Sequence, residues 1–225
     1  MLTFIVPAHN EELLLPKTLQ SIRAACLEPY EILVVDDASS DRTAAVAAGA
    51  RVLQVDFRQI ARTRNAGAAA AEGEFLFFID ADTQINEEYV QQAVAAMRNG
   101  AVGGGARFRF DGELPRFAKI MMPFFDWLCR TFQVAGGCCI FCTKAAWERA
   151  GGFDPRLFAG EELQFARMLK RQGKFRLIEA TVVTSGRKVR DYSARELLAT
   201  IWGIVRQGPR ALQSREGLDL WYRRR

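Results

Sequence analysis

An apolar run, Phe75-Leu76-Phe77-Phe78-Ile79, ends abruptly in Asp80-Ala81-Asp82. Apolar residues in unbroken succession suit a strand buried on both faces, as in a parallel sheet covered by helices. Ligands of such sheets bind beyond the carboxyl ends of the strands, which is where Asp80 and Asp82 fall. Side chains two apart on an extended chain point the same way, so both carboxylates can face one target. Like charges this close resist burial and call for a cation or water. A divalent metal that also holds a diphosphate meets that need, because Mg²⁺ commonly takes one or two carboxylates plus substrate phosphates. A solvated turn after a core strand is the plainer reading of an isolated Asp-x-Asp, and the rest of the chain decides between the two.

The elements that must position these carboxylates alternate regularly. A β-branched and aromatic run from Thr3 to Val6 stops at Pro7-Ala8-His9-Asn10, and a helical pattern follows from Glu12 to Ala25. Ile32 to Val35 reads as a second strand ending in the N-cap-rich cluster Asp36 to Asp41, with an Ala-rich helix to about Ala48. Arg51–Val55, Thr63–Ala71 and Phe75–Ile79 continue as strand, helix and strand. This rhythm predicts an α/β fold, Rossmann-like, with a mainly parallel central sheet flanked by helices. Beyond Gln84 the spacing predicts a helix over Glu87–Met97, an extended run over Val102–Phe110, a helix over Glu161–Gln172 and a strand over Phe175–Val183. Ile120 to Val134 is amphipathic and aromatic-rich. Core packing accounts for it, with a lipid-facing or acceptor-facing role as the alternative.

Length and composition fit one soluble domain: 225 residues, 49% hydrophobic and 25% charged. No run reaches the roughly 18 consecutive apolar residues of a membrane span. No basic leader precedes Leu2-Thr3-Phe4-Ile5-Val6, so cytoplasmic residence is the expectation. Cys138-Cys139-Ile140-Phe141-Cys142 holds a C-x-x-C, but the lone histidine, His9, is remote, and the segment reads better as a strand of small apolar side chains than as a metal or redox site. The net charge of +5 is concentrated after Gly186, where ten Lys/Arg face four Asp/Glu. With Trp202, Trp221 and Tyr222, this basic segment suggests peripheral contact with an anionic membrane, on its inner face; a solvated helix face from Ala194 to about Arg206 is the plain alternative.

Six pieces in order resemble the family 2 glycosyltransferases, which have the GT-A fold. They are Val6-Pro7-Ala8-His9-Asn10-Glu11-Glu12, Val34 to Asp41, Ala61-Arg62-Thr63-Arg64-Asn65-Ala66-Gly67, Asp80-Ala81-Asp82, Gly151-Gly152-Phe153-Asp154 and Gly160-Glu161-Glu162-Leu163. The resemblance covers about residues 2–180. It implies a GT-A domain over 1–185, with 186–225 as a basic, partly helical extension of that domain. It further implies an inverting transfer of sugar from a nucleoside-diphosphate sugar, UDP before GDP, to an acceptor hydroxyl whose identity is unknown and which is lipid-linked or membrane-proximal.

By that resemblance Pro7, Ala8 and His9 line the base pocket, Glu11 bonds ribose or base, Asp37 reads the base, Arg64 lies near the diphosphate, and Asp80 with Ala81 meets the ribose. Asp82 would coordinate Mg²⁺ or Mn²⁺. Glu162 would be the general base, with Glu161 as the alternative because this chain has Glu-Glu where Glu-Asp is commoner. Each role has a plainer counterpart. Asp37 could be a helix N-cap, Arg62 competes with Arg64, and two acids in a first helical turn suit the macrodipole. A sugar nucleotidyltransferase would want a glycine-rich basic loop where this chain has Pro7 to Glu12, no P-loop motif is present, and nothing resembles a nucleic-acid module. A nucleotide-sugar-binding, membrane-associated adaptor without transferase activity is the non-enzyme reading.

Overall fold

The computed structural model describes residues 1–133, 135–191, 193, 195–196, 199, 202, 206 and 208–214. Trp221, Tyr222 and much of the expected 194–206 helix lie outside them.

The first half follows the expected alternation: β1 (Leu2–Ala8), α1 (Leu15–Ala25), β2 (Tyr30–Asp37), α2 (Thr43–Val46), β3 (Arg51–Val55), α3 (Ile60–Ala70) and β4 (Phe75–Ile79). Then come β5 (Thr83–Gln84), α4 (Glu87–Arg98), β6 (Ala101–Phe110), α5 (Arg116–Phe132), β7 (Cys139–Thr143), α6 (Lys144–Ala150), α7 (Glu161–Lys170), β8 (Lys174–Thr184) and α8 (Arg187–Asp191). The strands form one sheet in the order β3-β2-β1-β4-β7-β6-β8-β5. Pairings β1–β2, β1–β4, β2–β3 and β6–β8 are parallel; β4–β7, β6–β7 and β5–β8 are antiparallel. The sheet is thus more mixed than the alternating pattern predicts, because β7 runs backwards between β4 and β6.

Alternation explains the apolar run. Phe77 and Ile79 join a core with Leu15, Leu19, Tyr89 and Val94 of α1 and α4, while Leu76 and Phe78 join a second core with Ala68, Phe153 and Phe165 on the α3 and α7 side. A strand sandwiched this way has no solvent face, so it carries no polar residue until it ends. The Cys run behaves as packing: Cys139 and Cys142 are buried on opposite faces of the sheet and cannot share an ion. Burial pushes the Cys142 thiol up, against thiolate chemistry.

Two expectations change. Leu13 is 79% exposed, and α1 begins at Leu15, with Pro16 in its first turn. On α5, Ile120, Met121, Phe124, Trp127 and Phe132 point outward, between 56% and 77% exposed, so core packing does not account for that segment.

Candidate active site

Since β6 and β8 run parallel to β1 and β4, the carboxyl ends of all these strands lie on one edge. The loops after β1, β2, β4 and β8 therefore meet there, together with the residues entering β7. The first two are sewn together. Asn10 N donates to Ser39 Oγ (2.9 Å), Glu11 N to Thr43 Oγ1 (2.8 Å), Glu12 N to Asp41 Oδ2 (3.1 Å), and Ser40 N to Asn10 Oδ1 (2.8 Å). The polar clusters at 8–12 and 38–43 are each other's partners.

Asp37 is engaged by the protein's own donors. Its Oδ1 accepts from Phe57 N and Arg58 N, both at 2.7 Å, and its Oδ2 from Gln59 N (3.0 Å) and Thr63 Oγ1 (2.7 Å). Arg58 has φ 51°, the left-handed conformation that turns successive amides toward one anion. A carboxylate offers about four lone-pair sites. Those of Asp37 meet four donors that pin the β3–α3 loop to the end of β2. Its neighbour Asp36 pairs in register with Ala8 at the end of β1 and accepts only a longer bond, from Ser39 N at 3.3 Å, among the contacts described. His9 is exposed and donates from Nδ1 to the Asp37 carbonyl (2.7 Å), which leaves Nε2 as an acceptor. Pro7 and Ala8 are buried in β1, and Ala81 is buried with its carbonyl accepting from Thr18 Oγ1 (2.8 Å).

Two arginines organise the acids. Arg64, on the inner face of α3, donates from Nη1 to Glu161 Oε1 (2.7 Å) and from Nη2 to Asp80 Oδ1 (2.8 Å) and the Gly137 carbonyl (3.1 Å). Its side chain is 4% exposed and that of Glu161 6%. Gly67 one turn on lets α3 sit this close to the sheet, since a Cβ there would stand 2.4 Å from Ile5 Cγ2. Burial opposes the guanidinium charge, but Asp80 and Glu161 outweigh it and hold Arg64 above its ordinary value. Arg64, expected near the diphosphate, is engaged by Asp80, Glu161 and the Gly137 carbonyl. Arg62, the alternative, is exposed and lies over the Phe57 ring at 4.5 Å.

Arg187, which the sequence reading passed over, holds the other pair. Its Nη1 donates to Glu11 Oε2 (2.8 Å) and its Nη2 to Glu11 Oε1, and Nη2 stands 3.2 Å from Asp82 Oδ2. The β5–β8 pairing brings it there, with Ser185 N donating to the Asp82 carbonyl at 3.1 Å. The available signal was position: Arg187 follows a predicted strand at its carboxyl end, as Asp82 does.

The remaining acid is Glu162. The left-handed Gly160 (φ 72°) turns the chain into α7 and puts both glutamates in its first turn. Glu162 leans on Gly137, where a Cβ would stand 3.0 Å from its Cγ. Burial first, and the adjacent Glu161 charge second, push its carboxyl up to about 8 against the pull of Arg64. A group with that value can exchange a proton near neutral pH.

Among the described residues no three His, Cys, Asp or Glu converge to hold a metal ion. Asp82 offers one carboxylate, and Arg187 now neutralises it. The residues fit a divalent ion only when substrate phosphates supply most of its ligands.

The remaining motifs are structural. Asn65 of α3 accepts from Phe153 N (2.9 Å) and donates to the Phe153 carbonyl (2.8 Å), which locks Gly151-Gly152-Phe153-Asp154 against the helix.

The family model described as "Glycosyl transferase family 2" matches residues 3–149, and the chain belongs to this family. The undecaprenyl-phosphate 4-deoxy-4-formamido-L-arabinose transferase of Pseudomonas fluorescens is 33% identical over 129 residues, covering 51% of this chain and 38% of that protein. Among solved structures, the mannosyltransferase PcManGT of Pyrobaculum calidifontis, in complex with GDP-Man and Mn²⁺, superposes with a TM-score of 0.72 at 19% identity, over 98% of this chain and 68% of that one. S. aureus TarS 1-349 in complex with UDP-GlcNAc gives 0.63 at 19% identity, over 82% and 58%. These likenesses establish the GT-A fold. The chain spans between 18% and 41% of the length of the curated relatives it matches.

Proposed function

We propose that this chain transfers a glycosyl group from a nucleoside-diphosphate sugar to an acceptor hydroxyl, with inversion, and that Glu162 is its general base. One observation carries the reading: Arg64 binds Glu161 and Asp80, while Glu162, next in sequence, packs against Gly137, whose carbonyl the same arginine holds, with burial raising its carboxyl. Glu162 would take the acceptor proton as that oxygen bonds to the anomeric carbon. The bond from that carbon to the diphosphate oxygen breaks on the opposite face, and the electron pair leaves with the diphosphate. Asp80 is assigned to the ribose, Glu11 and Asp36 to ribose and base, and His9 to the rim of the base pocket.

Asp82 would hold Mg²⁺ or Mn²⁺, which when bound supplies a Lewis acid for the departing diphosphate. Arg187 already lies beside Asp82 and is suited to the same anion, since a guanidinium binds phosphate oxygens as a fork. In this reading its grip on Glu11 and Asp82 is exchanged for the diphosphate when donor enters. UDP is the donor base favoured over GDP. That order rests on the family resemblance; TarS is bound to UDP-GlcNAc and PcManGT to GDP-Man, so GDP is the control.

Calorimetry of UDP and GDP, each with and without Mn²⁺, tests the reading. Metal-dependent binding of UDP is the expected result. Binding of donor without any turnover on acceptor would establish the adaptor instead, and no binding of either nucleotide would overturn both.

A further inference from the structure

The face of α5 is inverted relative to a helix of a soluble domain, which shows its polar side to water. Ile120, Met121, Phe124 and Trp127 recur at helical spacing and are 77%, 56%, 61% and 57% exposed, with Phe132 at 62% closing the stripe. The Phe124 and Trp127 rings stack at 5.8 Å. A contiguous outward apolar surface of this kind marks a partner.

Charge says which partner. Asp126 is the helix's sole acid and is turned inward, where it accepts from Arg107 Nε (3.1 Å) and Nη2 (2.9 Å). Every other charged residue of the helix is basic, and Arg116, Lys119 and Arg130 are all exposed. Aromatic and aliphatic side chains flanked by exposed Lys and Arg, with no exposed acid, match a helix lying in the plane of an anionic lipid surface. No helix among the described residues is long and apolar enough to cross a membrane, so the helix would lie on the bilayer.

Both ends of α5 adjoin the candidate active site. Before it, Asp111 accepts from Gly186 N at 2.8 Å, next to Arg187. After it, Lys170 Nζ donates to the Phe132 carbonyl at 3.1 Å, and the chain runs on to Gly137, whose carbonyl accepts from Arg64.

We propose that α5 docks the protein on an anionic lipid bilayer through Ile120, Met121, Phe124, Trp127 and Phe132, with Arg116, Lys119 and Arg130 against the headgroups. The site is thereby held at the membrane surface, where a lipid-borne hydroxyl would arrive; that last step rests on the transfer reading, while the docking itself does not.

Sedimentation with vesicles, in the absence of donor, tests it. The full chain should pellet with phosphatidylcholine–phosphatidylglycerol vesicles and much less with phosphatidylcholine alone, and added salt should weaken the binding without abolishing it. The double substitution Phe124→Ser with Trp127→Ser should lower binding by about tenfold or more, and Lys119→Glu with Arg130→Glu should remove the preference for anionic lipid. Unaltered thermal melts would show that these surface variants fold. Failure of the wild type to bind anionic vesicles, or equal binding by the folded Phe124/Trp127 variant, would overturn the proposal. Concentration-dependent dimerisation lost in that variant, without lipid binding, would overturn it in favour of a second copy of the chain.

Discussion

Two arginines at one edge of the sheet each grip two carboxylates, yet their surroundings differ. Arg64 and Glu161, at 4% and 6% side-chain exposure, are sealed between α3, α7 and the entry to β7, while Asp80, at 34%, opens to water. Arg187, from a short helix after β8, is itself 25% exposed, with Glu11 at 15% and Asp82 at 14%. Coulomb attraction is similar in kind; water access is not. A sealed pair cannot be given up without leaving a bare charge, so it acts as scaffold. A pair that water reaches is cheap to break and can be exchanged for a ligand. The contrast therefore rests on the two guanidinium groups, 4% against 25% exposed, and suits Arg64 to scaffold and Arg187 to exchange for a ligand.

The largest break should come from Arg64→Ala. Two buried or half-buried acids would lose their cation, and urea unfolding should report a loss of about 3–5 kcal/mol. Glu162→Gln should leave donor binding nearly intact while transfer in a radiolabel assay falls by about a hundredfold or more; normal transfer would move the base elsewhere.

Arg187→Ala sharpens the contrast. Its stability cost should stay within about 1 kcal/mol, while UDP affinity by calorimetry falls about tenfold. Mn²⁺ affinity without nucleotide should rise, because a competing cation is gone from Asp82. A stability loss as large as that of Arg64→Ala would erase the distinction.

The pH dependence is smaller and has a definite sign. Transfer should rise with pH through about 8 in the wild type, where Glu162 gives up its proton. Because that value lies above the 4.5 of an unperturbed glutamate, folding takes up a proton between the two. Glu162 therefore subtracts stability as pH rises through that window, and Glu162→Gln should flatten that part of a melting-temperature profile. The smallest effect should be Arg62→Ala, within about 0.5 kcal/mol, since the side chain is exposed on Phe57.

Residue order and type determined the class of fold, the strands that end in acids, the family, and the packing role of Cys138 to Cys142. These follow from local rules: alternation along a strand, the apolar run of a strand covered on both faces, and the short reach of loops between neighbouring elements. The tertiary structure alone decided which of two adjacent acids the protein's own donors engage. Asp36 and Asp37 look equivalent in a string, as do Glu161 and Glu162. Their surroundings separate because distant donors, the 57–59 amides for Asp37 and Arg64 for Glu161, reach one and miss the other. Arg187 and the outward face of α5 were hidden for the same reason. The antiparallel entry of β7 and the pairing of β5 with β8 are long-range events, and a residue's neighbours across a sheet cannot be read from its neighbours along the chain.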